Sequence, residues 1–247
     1  MQKTCVIIPC FNEEHRLELD IFSEYIAQNP YHFCFVNDGS SDNTIKILNE
    51  IKERSPIQVT VLDLGANFGK AEAVRQGFLT ALKTGEYTYI GYFDADLATP
   101  LDEINYLLDY FTKGYVLVMG SRVKRLGAEI TRNPLRHYLG RIFATLASSV
   151  LKLKIYDSQC GAKFFQHEIA KTLFAAPFAS KWLFDLELIY RFKSFDLAGF
   201  NRDIIEVPLR TWKEKKNSKM NFVDFMAAPF ELFKIKNNTA SKADSKF

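Results

Sequence analysis

Two spacings of apolar positions alternate along the first 120 residues. Apolar, strand-like runs fall at 5–9, 32–37, 58–63, 88–93 and 115–119, and between them apolar residues recur at helical spacing over about 14–28, 41–54, 70–84 and 101–113. The first kind predicts strands and the second predicts helices. Their alternation is the signature of a largely parallel sheet with helices on its faces, an α/β arrangement of the nucleotide-binding kind. The helix starts agree. Ser40-Ser41-Asp42-Asn43 before Thr44-Ile45 supplies N-cap chemistry, and Pro100-Leu101-Asp102-Glu103 puts proline and acids at a first turn.

Three of these strands end in polar clusters. Val6-Ile7-Ile8 runs into Pro9-Cys10-Phe11-Asn12-Glu13-Glu14, Phe33-Cys34-Phe35-Val36 into Asn37-Asp38-Gly39-Ser40-Ser41-Asp42, and Tyr89-Ile90-Gly91-Tyr92-Phe93 into Asp94-Ala95-Asp96. Alternate side chains of a strand share a face, so Asp94 and Asp96 can aim at one divalent cation in the crevice beyond the sheet. An isolated Asp-x-Asp also serves to solvate a loop. Three polar strand ends in series, however, imply one shared crevice, and a metal-assisted phosphate site is the first hypothesis. The chain has neither Gly-x-Gly-x-x-Gly nor Gly-x-x-x-x-Gly-Lys-Ser/Thr, which leaves more of the phosphate neutralisation to a cation.

Composition adds bounds. The 247 residues are 47% apolar and 25% charged, an ordinary globular balance with room for one sizeable core or two small ones. Cys5, Cys10, Cys34 and Cys160 show no paired metal-ligand spacing and are read as reduced thiols. Met1-Gln2-Lys3-Thr4 leads straight into a strand, so no signal peptide is expected. The longest helical apolar run, Ile142 to Leu151, is shorter than the ~20 residues that cross a bilayer, so no membrane span is expected.

The net charge of +3 hides an asymmetry: the part from Arg210 onward carries +5 and the remainder −2. A basic tail fits an anionic lipid surface, or is simply solvated. Leu135, Tyr138, Leu139, Ile142, Phe143, Leu146 and Val150 form an apolar helical stripe bordered by Arg132, Arg136, His137, Arg141 and Lys152. A second stretch, Asn221 to Lys236, holds Phe222, Phe225, Met226, Phe230, Leu232 and Phe233, with lysines at its end. Core packing accounts for either stretch alone; two of them beside basic residues also suit a membrane surface.

Taken in order, Pro9-x-x-Asn12-Glu13, Asn37-Asp38-Gly39-Ser40-x-Asp42, Asn67-x-Gly69-Lys70, Asp94-x-Asp96 and Gly120-Ser121-Arg122 resemble the family 2 glycosyltransferases. Five later segments are similar to the polyprenyl-phosphate branch of that family. They are Asp157-Ser158-Gln159-Cys160-Gly161-Ala162-Lys163, Trp182-Leu183-Phe184-Asp185-Leu186-Glu187-Leu188, Glu206-Val207-Pro208, Trp212-Lys213-Glu214 and Ser218-Lys219-Met220. Within the branch the likeness is greatest to dolichyl-phosphate β-glucosyltransferases, with dolichol-phosphate mannose synthases as cousins, and it covers about residues 4–235.

This resemblance implies a GT-A nucleotide-diphospho-sugar transferase fold over residues 1–212, a mostly parallel central sheet with helices on both faces. A basic, amphipathic helical segment at the membrane surface would follow over 213–236, and a disordered tail over 237–247. It also implies that Pro9, Asn12, Glu13 and Asp38 hold the nucleoside, that Lys70 lies near its phosphates, and that Asp94 and Asp96 hold Mg2+ or Mn2+ on the diphosphate. Arg122 and Arg136 would receive the acceptor phosphate, and Lys219 would close over the diphosphate from a mobile loop. The chain departs from the family pattern at Asn37, where an aspartate is usual, at Ala98, where a glutamine can join the metal, and at Gly140, where a serine is expected. Water or Thr99 is the substitute ligand.

The implied reaction is inverting transfer of a sugar, with glucose from UDP-glucose as the suggested donor, to undecaprenyl or dolichyl phosphate. A phosphate monoester has a second pKa of about 6 and already carries a nucleophilic oxyanion near neutral pH. No strong base is then needed, in keeping with His15, His32, His137 and His167, which are scattered. Asp157, Asp185 and Glu187 are acids expected near the sugar, or else structural ion pairs or caps. The rival enzyme reading is transfer to a saccharide hydroxyl in cell-surface polysaccharide synthesis, which requires one of those acids as base. A nucleotidyltransferase and a non-catalytic nucleotide- or lipid-binding protein are further alternatives. UDP-galactose, UDP-linked amino sugars and GDP-mannose stay open as donors. The expected place is the cytoplasmic face of a membrane, with peripheral attachment and no nucleic-acid partner; a separate membrane-protein partner is left open.

Overall fold

The computed structural model describes residues 3–131, 133–195, 199–215 and 230–237. The side chains at 134–137, 139, 142 and 143 are not among those described. The first half runs β1 (Thr4–Cys10), α1 (Leu19–Gln28), β2 (His32–Asn37), α2 (Thr44–Arg54), β3 (Val59–Asp63), α3 (Lys70–Thr84), β4 (Tyr89–Phe93), α4 (Glu103–Leu108) and β5 (Leu117–Ser121). The second half adds β6 (Glu129–Thr131), α5 (Pro134–Leu151), β7 (Ala162–Gln166), α6 (His167–Phe174), α7 (Phe184–Phe195), α8 (Phe200–Asp203), β8 (Ile204–Pro208) and β9 (Thr211–Lys213). A helix at 230–237 follows.

Seven strands form one sheet in the order β3-β2-β1-β4-β7-β5-β8, and β6 pairs with β9 in a separate two-stranded ribbon. All neighbours in the large sheet are parallel except β7, which runs antiparallel to both β4 and β5. The chain winds outward from β1 through β2 to β3, then returns to place β4 on the other side of β1. The crevice beyond the carboxyl ends of β1 and β4 is therefore the topological switch point, where open α/β sheets bind ligands.

Alternation along β1 shows how both faces are covered. Cys5 and Ile7 pack into a core with α3, α6 and α7, while Val6 and Ile8 pack into a second core with α1, α2 and α4. Such two-sided burial is what makes the strands read as continuous apolar runs. All four cysteines are buried, free thiols, and burial pushes Cys34 and Cys160 up to about 12.

The expected α/β architecture is present, with three differences. Helix α1 starts at Leu19 instead of about 14, because Asn12 takes a left-handed φ of 49° and Arg16 and Leu17 donate their amides back to the Glu13 carbonyl in a tight turn. The expected helix at 101–113 is α4 followed by a 3-10 turn over Asp109–Lys113. In the tail, Leu232 and Ile235 are buried in the α3-side core while Phe230 and Phe233 are exposed, so the segment divides its apolar residues between core and solvent. Residues 216–229 and 238–247 lie outside the described residues, and with them Lys219 and most of the expected tail. Among the described residues no helix is long and apolar enough to cross a membrane.

Candidate active site

The loops after β1 and β2 are stitched to each other. The Asn12 carboxamide oxygen accepts the Ser41 amide at 2.8 Å, the Asn12 amide donates to Ser40 Oγ at 3.0 Å, and the Glu13 amide donates to Thr44 Oγ1 at 2.8 Å. Gly39 lets the second loop lie against the strand-to-helix turn before α3. Its φ is +65°, and a Cβ there would stand 2.3 Å from the Ala66 carbonyl carbon.

Asp38 fixes that same turn. Its buried carboxylate accepts the amides of Phe68 at 2.8 Å and Gly69 at 2.9 Å, which sets the point where α3 begins with Lys70. Burial leads the causes that raise its pKa, and the two amides work against it. Asn37, at the position where an aspartate is usual, donates its amide to Asp63 at 3.0 Å. An aspartate there would face a second carboxylate at that distance, so the amide suits its surroundings.

At the end of β4, Asp94 and Asp96 each face a basic side chain. Lys70 Nζ lies 2.5 Å from Asp94 Oδ1, with the two side chains 40% and 37% exposed. Arg16 Nη1 lies 3.7 Å from Asp96 Oδ2 and its other Nη is 2.5 Å from Glu13. Burial acts to lower the Lys70 pKa, but Asp94, then Asp185, carry the net shift upward. Burial first, and the like charge of Asp94 second, raise Asp96. Gly161 backs Asp94 closely: its carbonyl accepts the Asp94 amide at 3.1 Å, and a Cβ at Gly161 would stand 2.0 Å from Asp94 Oδ2.

Two carboxylates of this kind are hard oxygen donors, and among the described residues no third His, Cys, Asp or Glu joins them in a metal-binding group. That donor set fits Mg2+ or Mn2+ bound through one or two carboxylates, with phosphate oxygens and water completing the shell. Ala98 cannot add a side-chain ligand. Its amide donates to Asp96 at 3.1 Å and its carbonyl accepts the Lys213 amide at 2.9 Å, while Thr99 is buried.

Each of the three acids expected near the sugar has a basic partner. Arg122 makes a two-pronged pair with Asp157, both contacts at 2.7 Å, and its amide donates to the same carboxylate at 3.0 Å. Burial opposes the Arg122 charge, and Asp157 more than offsets it, raising the guanidinium pKa. The loop carrying Asp157 is held by Glu206, which accepts the amides of Tyr156 at 2.8 Å and Asp157 at 2.5 Å. Asp185 is bonded to Lys163 Nζ at 2.6 Å and to the Tyr92 hydroxyl, and Lys163, fully buried, also donates to the carbonyls of Ser158 and Cys160. Glu187 accepts the Ala179 and Ser180 amides and pairs with Arg191 at 2.7 Å.

Asn12, Glu13, Asp38, Lys70, Asp94 and Asp96 thus converge at the carboxyl ends of β1, β2 and β4. Pro9 lies inside β1, and Arg122 and Asp157 adjoin the end of β5. Arg136 lies in the first turn of α5, its side chain outside those described. Sequence reading missed Arg16, which had no motif around it. It also gave no role to Gly161, Lys163 and Glu206, although all three stand within the quoted motifs.

The comparisons bear on this arrangement. The profile of "Glycosyl transferase family 2" matches residues 5–174. A dolichyl-phosphate beta-glucosyltransferase of Trichomonas vaginalis is 34% identical over 248 residues, 94% of this chain and 70% of that protein. A polyprenol monophosphomannose synthase of Mycolicibacterium smegmatis is 29% identical over 234 residues, 94% of this chain and 86% of that one. Among solved structures, the glucosyl-3-phosphoglycerate synthase of Mycobacterium tuberculosis, in complex with Mn2+, UDP and glucosyl-3-phosphoglycerate, superposes with a TM-score of 0.69. It is 17% identical and covers 96% of this chain and 80% of its own.

Proposed function

The chain belongs to glycosyl transferase family 2, and on that premise we propose that it transfers a sugar, glucose from UDP-glucose, to a polyprenyl phosphate with inversion at the anomeric carbon. The lipid-phosphate acceptor is the activity named for its relatives in Trichomonas and Mycolicibacterium. The observation that carries the reading is the engagement of all three candidate acids. Asp157 is bound by Arg122, Asp185 by Lys163 and Glu187 by Arg191. A hydroxyl acceptor requires a carboxylate ready to take a proton, whereas a phosphate monoester with its second pKa of about 6 arrives as an oxyanion.

The residues then divide the work of bringing two anions together. Asn12, Glu13 and Asp38, with Pro9 beneath them, form the nucleoside side, and Lys70 and Arg16 supply positive charge to the diphosphate. Asp94 and Asp96 hold Mg2+ or Mn2+, which when bound neutralises charge on the leaving diphosphate. Arg122, oriented by Asp157, presents its positive charge to the acceptor phosphate, with Arg136 and Lys219 as further cations. The acceptor oxygen bonds to the anomeric carbon as the bond to the diphosphate oxygen breaks on the opposite face, so the diphosphate departs with the electron pair.

A lipid acceptor implies a lipid-facing surface. Exposed Tyr138, Leu146 and Val150 on α5, and exposed Phe230 and Phe233 beside Lys234 and Lys236, support peripheral attachment. Four buried free thiols suit the reducing, cytoplasmic side. The test is incubation with labelled UDP-glucose, UDP-galactose, UDP-linked amino sugars and GDP-mannose, in separate reactions with Mn2+ and undecaprenyl or dolichyl phosphate. Label in the organic phase supports the proposal, with UDP-glucose expected to serve best. Failure of the whole donor panel to yield glycolipid refutes it.

A further inference from the structure

Both carboxylates at the end of β4 already have a cation of the chain's own beside them. Lys70 Nζ is 2.5 Å from Asp94, and Arg16 is 3.7 Å from Asp96. Neither cation is placed casually. Lys70 opens α3 immediately after the turn that Asp38 holds by two amides, and its ammonium lies 5.9 Å from the centre of the Phe184 ring. Arg16 sits in the tight turn before α1 and is anchored by Glu13. Asp94 also rests against Gly161, so the carboxylate has both an ammonium and a backbone close beside it.

We propose that Lys70 and Arg16 are resident counter-ions of the Asp94–Asp96 pair, so that a divalent cation enters together with a nucleoside diphosphate and not ahead of it. Three carboxylates, Glu13, Asp94 and Asp96, face two basic groups, which leaves one net negative charge. A divalent cation alone has to compete with Lys70 for Asp94: with Lys70 still in place the cluster becomes positive, and with Lys70 displaced the ammonium loses its partner. A diphosphate brings its own negative charge, offers the ammonium a new partner and releases Asp94 to the metal. Linkage then requires metal and diphosphate to tighten each other by the same factor.

This inference rests on the proposed metal role of Asp94 and Asp96, and the test separates the two. Mn2+ is titrated into the full chain, without nucleotide and with saturating UDP, and free Mn2+ is read by electron paramagnetic resonance. Wild type is expected to bind Mn2+ weakly alone and at least about ten-fold more tightly with UDP, a coupling of ordinary size between two sites. Lys70→Met is expected to tighten nucleotide-free Mn2+ binding about five-fold, the scale on which a partly exposed ion pair acts, and to shrink the UDP effect. Arg16→Gln should act in the same direction more weakly, and Asp94→Asn should lose binding in both conditions. Equal Mn2+ affinity with and without UDP in wild type overturns the inference, as does unchanged or weaker nucleotide-free affinity in Lys70→Met. Absence of Mn2+ binding by wild type even with UDP overturns the metal role as well.

Discussion

Gly161→Ala puts a single methyl group against the carboxylate on which the β4 end depends. Its Cβ would stand 2.0 Å from Asp94 Oδ2, 2.3 Å from Cγ and 2.6 Å from Oδ1. An ordinary carbon–oxygen approach is ~3.3 Å, so the carboxylate or the loop has to move by roughly 1.3 Å. The loop is poorly placed to yield, because the Gly161 carbonyl accepts the Asp94 amide at 3.1 Å and β7 begins at the next residue, paired with Phe93. Asp94 therefore gives way. A displacement of about 1 Å at a reacting centre costs on the order of 100-fold in rate, and overpacking of this kind costs about 1–3 kcal/mol in stability. The assay is kcat at saturating donor, acceptor and Mn2+, with urea unfolding of the same preparations. Gly85→Ala is the control: Gly85 has φ +67° and open space around it, so alanine there costs roughly 1 kcal/mol of backbone strain and leaves activity intact. Gly161→Ala with kcat within about three-fold of wild type would refute the reasoning, since on this geometry the rate loss has to be on the order of 100-fold.

Three further outcomes follow from the buried polar groups. Lys163→Met leaves the buried Asp185 carboxylate without its paired cation, with the Tyr92 hydroxyl as a remaining donor, and should lower unfolding free energy by about 3–5 kcal/mol in urea titrations; a loss below about 1 kcal/mol contradicts the buried-pair account. Asp38→Asn keeps one acceptor oxygen for two amides, so it should cost about 1–3 kcal/mol and raise the KM for the nucleotide sugar by loosening the turn before Lys70. Burial raises the Glu206 carboxyl above its ordinary 4.5, so its stabilising contribution is full below that value and is lost as pH rises through the folded-state pKa. Glu206→Gln should remove that decline and gain on wild type in urea midpoints as pH rises from about 4 to 7; the opposite trend contradicts the assignment.

The first half of the fold was legible because burial on both faces leaves β1, β2, β4 and β5 as largely apolar runs. The meeting of the three polar clusters was legible with it, since successive strand ends of such a sheet come together at a switch point. What sequence spacing did not carry was pairing between distant segments. β7 has the fully buried Lys163 as its second residue, which shortens the apolar run, and its antiparallel direction depends on partners about 70 residues earlier. Asp157, Asp185 and Glu187 could each have faced the sugar or a basic partner. Only the fold shows that Arg122, 35 residues before Asp157, and Lys163, 22 before Asp185, are those partners. Arg16 was illegible for a local reason: it reads as the first turns of a helix until the left-handed Asn12 delays that helix to Leu19.

The position of β7 also orders events during synthesis. β4 and β5 are made well before the strand that joins them, so until residue 166 has emerged β4 has an open hydrogen-bonding edge and β5 has no place in the sheet. That edge is Tyr89-Ile90-Gly91-Tyr92-Phe93, an apolar segment of the kind that pairs with other chains when left exposed. When β7 arrives it closes the edge and brings the 157–161 loop against Asp94 in the same step. Protection of the nascent edge and assembly of the proposed metal site are thus one event.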